Sequence, residues 1–192
     1  DFAGQDFPTP LSTGEQDDYT LRPEQRAAVD QAAAAFTHGK TEVLWNAKPR
    51  FGKTLTTYDL MRQLDLHKVL IVTNRPAIAN SWYDDFTRFI GHQTTFRFVS
   101  ESASLAGRSP MSRQHWRAYS REHADDDPRI VEFLSLQDLK GSRYFGGSHD
   151  KLRHIAEFQW DLLVIDEAHE GIDTTKTDVA FDQIKRTWTL HL

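Results

Sequence analysis

Cysteine is absent from the 192 residues. Its absence excludes a disulfide framework and any cysteine-ligated zinc site, and it fits a reducing cytoplasm, the location expected here. No apolar run approaches the length of a membrane span, and the start lacks the pattern of an export signal, so a soluble chain with no membrane partner is expected. No internal repeat is visible. A surplus of positive charge is also missing: 23 Lys and Arg face 28 Asp and Glu, for a formal charge of −5. The deficit is local. Asp1, Asp6, Glu15, Asp17 and Asp18 all precede the first base, Arg22, so from Tyr19 onward 23 acids balance 23 bases. A neutral body does not exclude a phosphate-bearing partner, because affinity follows the charges in contact and not the total.

Residues 1–18 combine Gly, Pro, Ser, Thr and acids without apolar periodicity and read as an acidic flexible arm or linker. Residues 19–192 read as one domain. No initiator Met stands first, and the chain stops on a strand-like segment, Trp188 to Leu192, so a piece of a longer polypeptide is expected.

Two stretches carry the chemistry. Val43, Leu44 and Trp45 make a short apolar run, Ala47 to Thr54 (AKPRFGKT) follows, and Leu55, Tyr58, Leu60, Met61 and Leu64 then recur at a helical period. A loop so placed, between strand and helix, offers unpaired backbone N–H groups and a favourable dipole to phosphate oxygens. Lys53 would reach the β- and γ-phosphates, Thr54 would hold Mg²⁺ through its hydroxyl, and Gly52 would let the backbone approach closely. The second stretch is Asp166 to His169 (DEAH), after the apolar run Leu162 to Ile165. A carboxylate at the C-terminal end of a buried parallel strand is where an α/β sheet presents ligand groups. Asp166 would hold Mg²⁺ and Glu167 would orient or deprotonate the attacking water. An ordinary helix start and an acidic N-cap explain each stretch alone; the two together favour a Mg-nucleotide site. A zinc site from His154, Glu167 and His169 lacks the required spacing.

Elsewhere strand and helix alternate, which predicts a three-layer α/β domain: a mostly parallel central sheet with helices on both faces. Helices are expected over 21–36 and 78–90, the latter with Ile78, Trp82, Phe86 and Phe89 on a core-facing side. Strands are expected over 68–73, 95–99 and 130–135. Ser112 to Glu122 sets Arg113, Arg117 and Arg121 four residues apart with Trp116 and Tyr119 between. That stripe suits a phosphate backbone, but a solvated helix with Trp116 packed inward and Asp125 to Asp127 as counter-charges is preferred.

In order, Leu21 to Gln25 (LRPEQ), AKPRFGKT, Val69 to Trp82, Phe133 to Leu139 (FLSLQDL) and DEAH resemble the first, RecA-like motor lobe of DEAD/DEAH-box helicases of the second superfamily, above all type III restriction res subunits. The resemblance covers Leu21 to the last residue. It implies ATP and Mg²⁺ as cofactors, DNA (double-stranded) as partner, a second RecA-like lobe in the same polypeptide, and a nuclease or methyltransferase domain or subunit. By position, it makes Arg22, Gln25, Ala47, Arg50, Gly52, Lys53, Thr54 and Asp166 the nucleotide-binding set, with the Gln25 amide reading adenine and Tyr19 a ring to stack on it. Lys53, Asp166, Glu167 and His169 become the hydrolytic set, with His169 linking nucleotide state to the neighbouring lobe. Arg75, Pro76, Ser135 and Gln137 fall in DNA-contact segments. The chain departs from the pattern at Pro49 and Arg50, where such helicases carry Thr-Gly; a residue with a Cβ is strained there if φ is positive. Two rivals stand beside this reading: a P-loop NTPase with no nucleic-acid role, and a degenerate lobe acting as a binding platform.

Overall fold

The structure, a computed structural model, describes residues 16–48, 50–166 and 174–192. The order of elements is α1 (Pro23–Thr37), β1 (Glu42–Leu44), α2 (Lys53–Gln63), β2 (Lys68–Thr73), α3 (Ala79–Asp85), β3 (Phe96–Val99), α4 (Arg113–Glu122), β4 (Arg129–Ser135), α5 (Leu136–Gly141), α6 (Arg153–Glu157), β5 (Trp160–Asp166), α7 (Thr174–Asp182) and β6 (Arg186–His191). The six strands form one sheet in the order β1-β6-β5-β2-β4-β3, and every pairing is parallel. Parallel strands need crossovers, and the intervening helices supply them on both faces, as the alternation of patterns predicts. Among the described residues no helix is long and apolar enough to cross a membrane.

Strand alternation sorts the interior into two cores. Val69, Ile71, Val131, Phe133, Leu162 and Val164 meet α1, α2 and α3 through Val29, Phe36, Tyr58, Leu60 and Trp82. Leu70, Val72, Ile130, Leu134, Leu163 and Ile165 face the other way, against Leu139, Ile155, Ala180 and Phe181. Side chains two apart share a face. Asp166 therefore follows Leu162 and Val164 toward α2 and α3, whereas Glu132 follows Ile130 and Leu134 to the opposite side. Full burial of each large side chain, such as Trp82 or Trp160, stabilises the fold by roughly 1.5–3 kcal/mol.

The segment expected as one helix over 78–90 is divided. A 3₁₀ turn over Pro76–Ile78 leads into α3, and a wide π turn over Phe86–Ile90 follows, closed by Gly91 N–H donating to the Phe86 carbonyl at 2.9 Å. Trp82, Phe86 and Ile90 are buried, while Ile78 and Phe89 are only partly so.

The arginine stripe follows the solvated-helix reading except at Arg113 and Asp127. Arg113 turns inward, its Nε 2.6 Å from Glu132 and its Nη1 2.9 Å from Glu101, leaving Arg117 and Arg121 exposed. Trp116 packs partly against the second core. The expected counter-charge Asp127 instead binds Arg129 at 2.6 Å and His67 at 2.9 Å, because a left-handed turn at Asp127 (φ 53°) carries it back to the start of β4. His154 Nε2 donates to the Glu132 carboxylate at 2.9 Å, and among the described residues no group of three or more metal-type side chains includes it.

Candidate nucleotide site

The loop from Trp45 to Gly52 joins β1 to α2, and local chemistry shapes it. Gly52, just before the first helical residue, has φ 79° and ψ 47°, a left-handed conformation that costs glycine little. Arg50 occupies the same region, with φ 68°, so a side-chain-bearing residue does carry strain at that position. Pro49 lies outside the described residues. Ala47 is half-buried in the loop, and the Trp45 ring meets Phe51 edge-on at 6.4 Å.

The start of α1 ties this loop down. Gln25, the third residue of α1, accepts a hydrogen bond from the Arg22 backbone N–H at 2.8 Å and donates through Nε2 to the Phe51 carbonyl at 2.7 Å. Arg22 Nη2 donates to the carbonyls of Arg50 and Phe51 at 2.9 and 2.7 Å. Both polar ends of the Gln25 amide are thus engaged within the chain. Beside them, Tyr19 lines an open cavity of about 640 Å³ with Arg26, Asp59 and Arg62. The Tyr19 hydroxyl donates to Asp59 at 2.8 Å and accepts from Arg62 at 3.0 Å. Burial and then the Asp59 carboxylate push its pKa up to about 12.

Lys53 and Asp166, 113 residues apart, meet. Lys53 Nζ is 2.6 Å from Asp166 Oδ1, and the carboxylate is fully buried. Its other oxygen, Oδ2, accepts the indole N–H of Trp82 at 3.0 Å. Strand pairing sets Asp166 beside Thr73, and the Asn74 N–H reaches the Asp166 carbonyl at 3.4 Å. Thr54 is buried in the first turn of α2 and donates its hydroxyl to Asp85 Oδ2, in a very short contact. Burial raises the Asp85 pKa, against the lowering effect of the Thr54 bond. Glu167 and His169 lie outside the described residues.

Of the segments expected to touch DNA, Arg75 is exposed after β2, where its N–H binds the Thr73 hydroxyl at 3.1 Å, and Pro76 opens the following 3₁₀ turn. Ser135 is buried and caps α5 by accepting the Asp138 N–H at 3.1 Å, while Gln137 is exposed. Both segments follow the C-terminal ends of adjacent parallel strands, β2 and β4.

Two participants escaped the reading of the sequence. Trp82 was expected only as core, which it is, but its N–H also grips Asp166. Asp85 passed unremarked. The available signal was an acid three residues after a core tryptophan, on the margin of the inward face of a helix.

A six-stranded parallel sheet whose phosphate-type loop meets an acid at the end of a neighbouring strand defines a RecA-like α/β lobe. Residues 18–192 match the family model "Type III restriction enzyme, res subunit", and the chain belongs to that family. A Mycoplasma pneumoniae protein named "Putative type II restriction enzyme and methyltransferase" is 26% identical over 175 residues, covering 88% of this chain and 22% of the relative. A "Putative helicase" of Frog virus 3 is 34% identical over 82 residues, 43% of this chain and 19% of that protein. The chain thus spans about a fifth of the length of these curated relatives. Among solved structures, the SWI2/SNF2 ATPase core of Sulfolobus solfataricus in complex with dsDNA superposes with a TM-score of 0.63 at 18% identity, over 91% of this chain and 32% of that one. The ATP-dependent Type ISP restriction-modification enzyme LlaBIII bound to DNA gives 0.63 at 16%, over 100% and 14%. At these identities the superpositions speak for the fold.

Proposed function

We infer that the chain is the ATP-binding lobe of an ATP-dependent DNA helicase or translocase, the motor of a restriction-modification or related DNA-processing enzyme. The observation that carries this reading is the 2.6 Å approach of Lys53 to the buried Asp166, which brings the two motif stretches to one place. An ammonium facing a carboxylate is a site poised for anion and cation together: phosphate would draw Lys53, and the acid would turn to a divalent ion.

The donor set fits Mg²⁺. A carboxylate and a hydroxyl are hard oxygen ligands, and Mg²⁺ is usually held by one or two such groups plus phosphates and water. Asp166 and Thr54 would hold the ion, which when bound neutralises charge on the transferring phosphate. The N–H groups of the loop around Gly52 cradle phosphate oxygens, Arg50, exposed on the same loop, adds a cation for them, and Arg22 with Gln25 braces the loop through its carbonyls. Glu167 orients the attacking water and His169 relays nucleotide state. Arg75, Pro76 and Gln137 form the DNA face, contacting double-stranded DNA, and the buried Ser135 shapes it by capping α5.

Residues 1–18 serve as a linker and 19–192 as the lobe, with a second RecA-like lobe and a nuclease or methyltransferase in the complete polypeptide or its partners. The second lobe supplies the arginine that stabilises the phosphoryl charge, worth roughly 10³ to 10⁵ in rate. The 192-residue chain alone therefore hydrolyses ATP barely. Calorimetry with Mg-ATP on the wild type and Lys53→Ala tests the site: measurable binding that Lys53→Ala abolishes is expected, and identical behaviour of the two proteins would sink the reading. DNA-stimulated ATPase should appear only in a two-lobed version.

A further inference from the structure

We propose that Trp82 and Asp85, three residues apart on α3, are positioning residues for the two oxygen groups of the Mg-nucleotide site. Trp82 sets the Asp166 carboxylate, and Asp85 sets the Thr54 hydroxyl. The proposal rests on the nucleotide-site reading above and adds the device that orients its ligands.

The helix presents both residues to one side, because positions three apart are neighbours on a helical surface. From that side the Trp82 indole N–H meets Asp166 Oδ2 at 3.0 Å, and the Asp85 carboxylate accepts the Thr54 hydroxyl proton. One short helix thereby holds a residue of β5 and a residue of α2 at once.

Each contact leaves the right atom available. A hydroxyl has one hydrogen and two lone pairs. With its hydrogen committed to Asp85, Thr54 keeps both lone pairs for a metal ion, and a carboxylate acceptor enriches that oxygen as a ligand. Asp166 has two oxygens, one on Trp82 and one on Lys53. Phosphate that draws Lys53 away frees Oδ1 while the N–H of Trp82 keeps the carboxylate plane fixed through Oδ2.

The indole cannot follow a wandering carboxylate. Trp82 is fully buried, its ring stands at 90° to Tyr58 with centroids 5.5 Å apart, and its carbonyl accepts the Tyr58 hydroxyl at 2.6 Å. Tyr58 belongs to α2, four residues after Thr54, so both ligands are referred to the same α2–α3 contact. A purely apolar core position has no need of an N–H aimed at an acid; phenylalanine would fill it. Partners that orient a metal ligand commonly matter by 10- to 100-fold in metal affinity.

The test measures how much Mg²⁺ tightens binding of a non-hydrolysable ATP analogue to the 192-residue chain, by calorimetry in excess Mg²⁺ and again in EDTA. Trp82→Phe and Asp85→Ala should each shrink the Mg²⁺-dependent gain about 10-fold while changing the affinity in EDTA by no more than about two-fold. An undiminished gain in both variants overturns the proposal. So does an equal loss with and without Mg²⁺, which is the mark of a structural role alone. If Trp82→Phe loses its cooperative thermal transition, Asp85→Ala, at a half-buried position at the end of the helix, decides the outcome. A wild type without any Mg²⁺-dependent gain, matched by Lys53→Ala, would overturn the nucleotide-site reading and this proposal with it. A wild-type gain that Lys53→Ala removes but the α3 variants retain would overturn the positioning role only.

Discussion

A Cβ placed on Gly52 would stand 2.6 Å from the Gln25 amide nitrogen. The loop and the start of α1 are packed so closely that only hydrogen fits between them, and the glycine is left-handed as well. Gly52→Ala should therefore cost about 2 kcal/mol, from roughly 1 for the backbone and 1 for the displaced Gln25 bond. Thermal unfolding checks it. Adding Gln25→Ala removes the clash but not the backbone strain, so the double variant should lose less than the two single losses combined.

Arg50, unlike Gly52, carries a side chain at φ 68°. Arg50→Gly should stabilise the nucleotide-free chain by about 1 kcal/mol, since glycine adopts this conformation without the Cβ conflict. If its guanidinium also contacts phosphate, the same variant gains stability and loses nucleotide affinity, and denaturant unfolding beside calorimetry separates the two effects.

Glu132 has no exposed surface, yet it lies 2.6 Å from Arg113 Nε and 2.9 Å from His154 Nε2. One strand carboxylate thus clasps α4 and α6 to the same face. Glu132→Ala leaves a guanidinium only 17% exposed with Glu101 as its remaining carboxylate partner and should cost about 2 kcal/mol. Hydrogen exchange should show α4 and α6 loosening together, and a variant that frees only one helix would contradict the clasp.

The raised pKa of Tyr19 has a definite sign. An unfolded tyrosine ionises near 10, whereas the folded one keeps its proton to about 12. Its contribution is therefore fully present below pH 10 and is lost as pH climbs through 10 to 12. In Tyr19→Phe that alkaline decline in melting temperature should be shallower, and the ultraviolet titration should lack one late-ionising tyrosine.

Much of this architecture was legible in the chain because it is written in short-range terms. The runs at Lys68–Thr73 and Leu162–Ile165 have strand periodicity and length, and β2 and β5 lie where those patterns stand. Lys53 and Asp166 were singled out by residue type and neighbours, and the parallel sheet brings them together. What stayed hidden depends on which face an acid turns to. Nothing local separates Glu132, wholly buried, from Glu101, half exposed, until the register of β4 is known. Likewise the indole of Trp82 reads as apolar bulk in any helical pattern, and only the arrival of β5 gives its N–H a partner. The division of 78–90 into α3 and a π turn also comes from packing: Phe86 and Ile90 must both stay inside while Gly91, whose added Cβ would lie 3.0 Å from the Phe86 ring, closes the turn.

Strands β2 and β5 finish level with one another, Thr73 alongside Asp166, and the next amide along, that of Asn74, leans on the Asp166 carbonyl. Whatever tugs on the turn at Arg75 and Pro76 thus pulls directly on the peptide that carries the acid. In the proposed motor, grip and fuel chamber would need no long linkage between them, because the rim of the sheet joins the two.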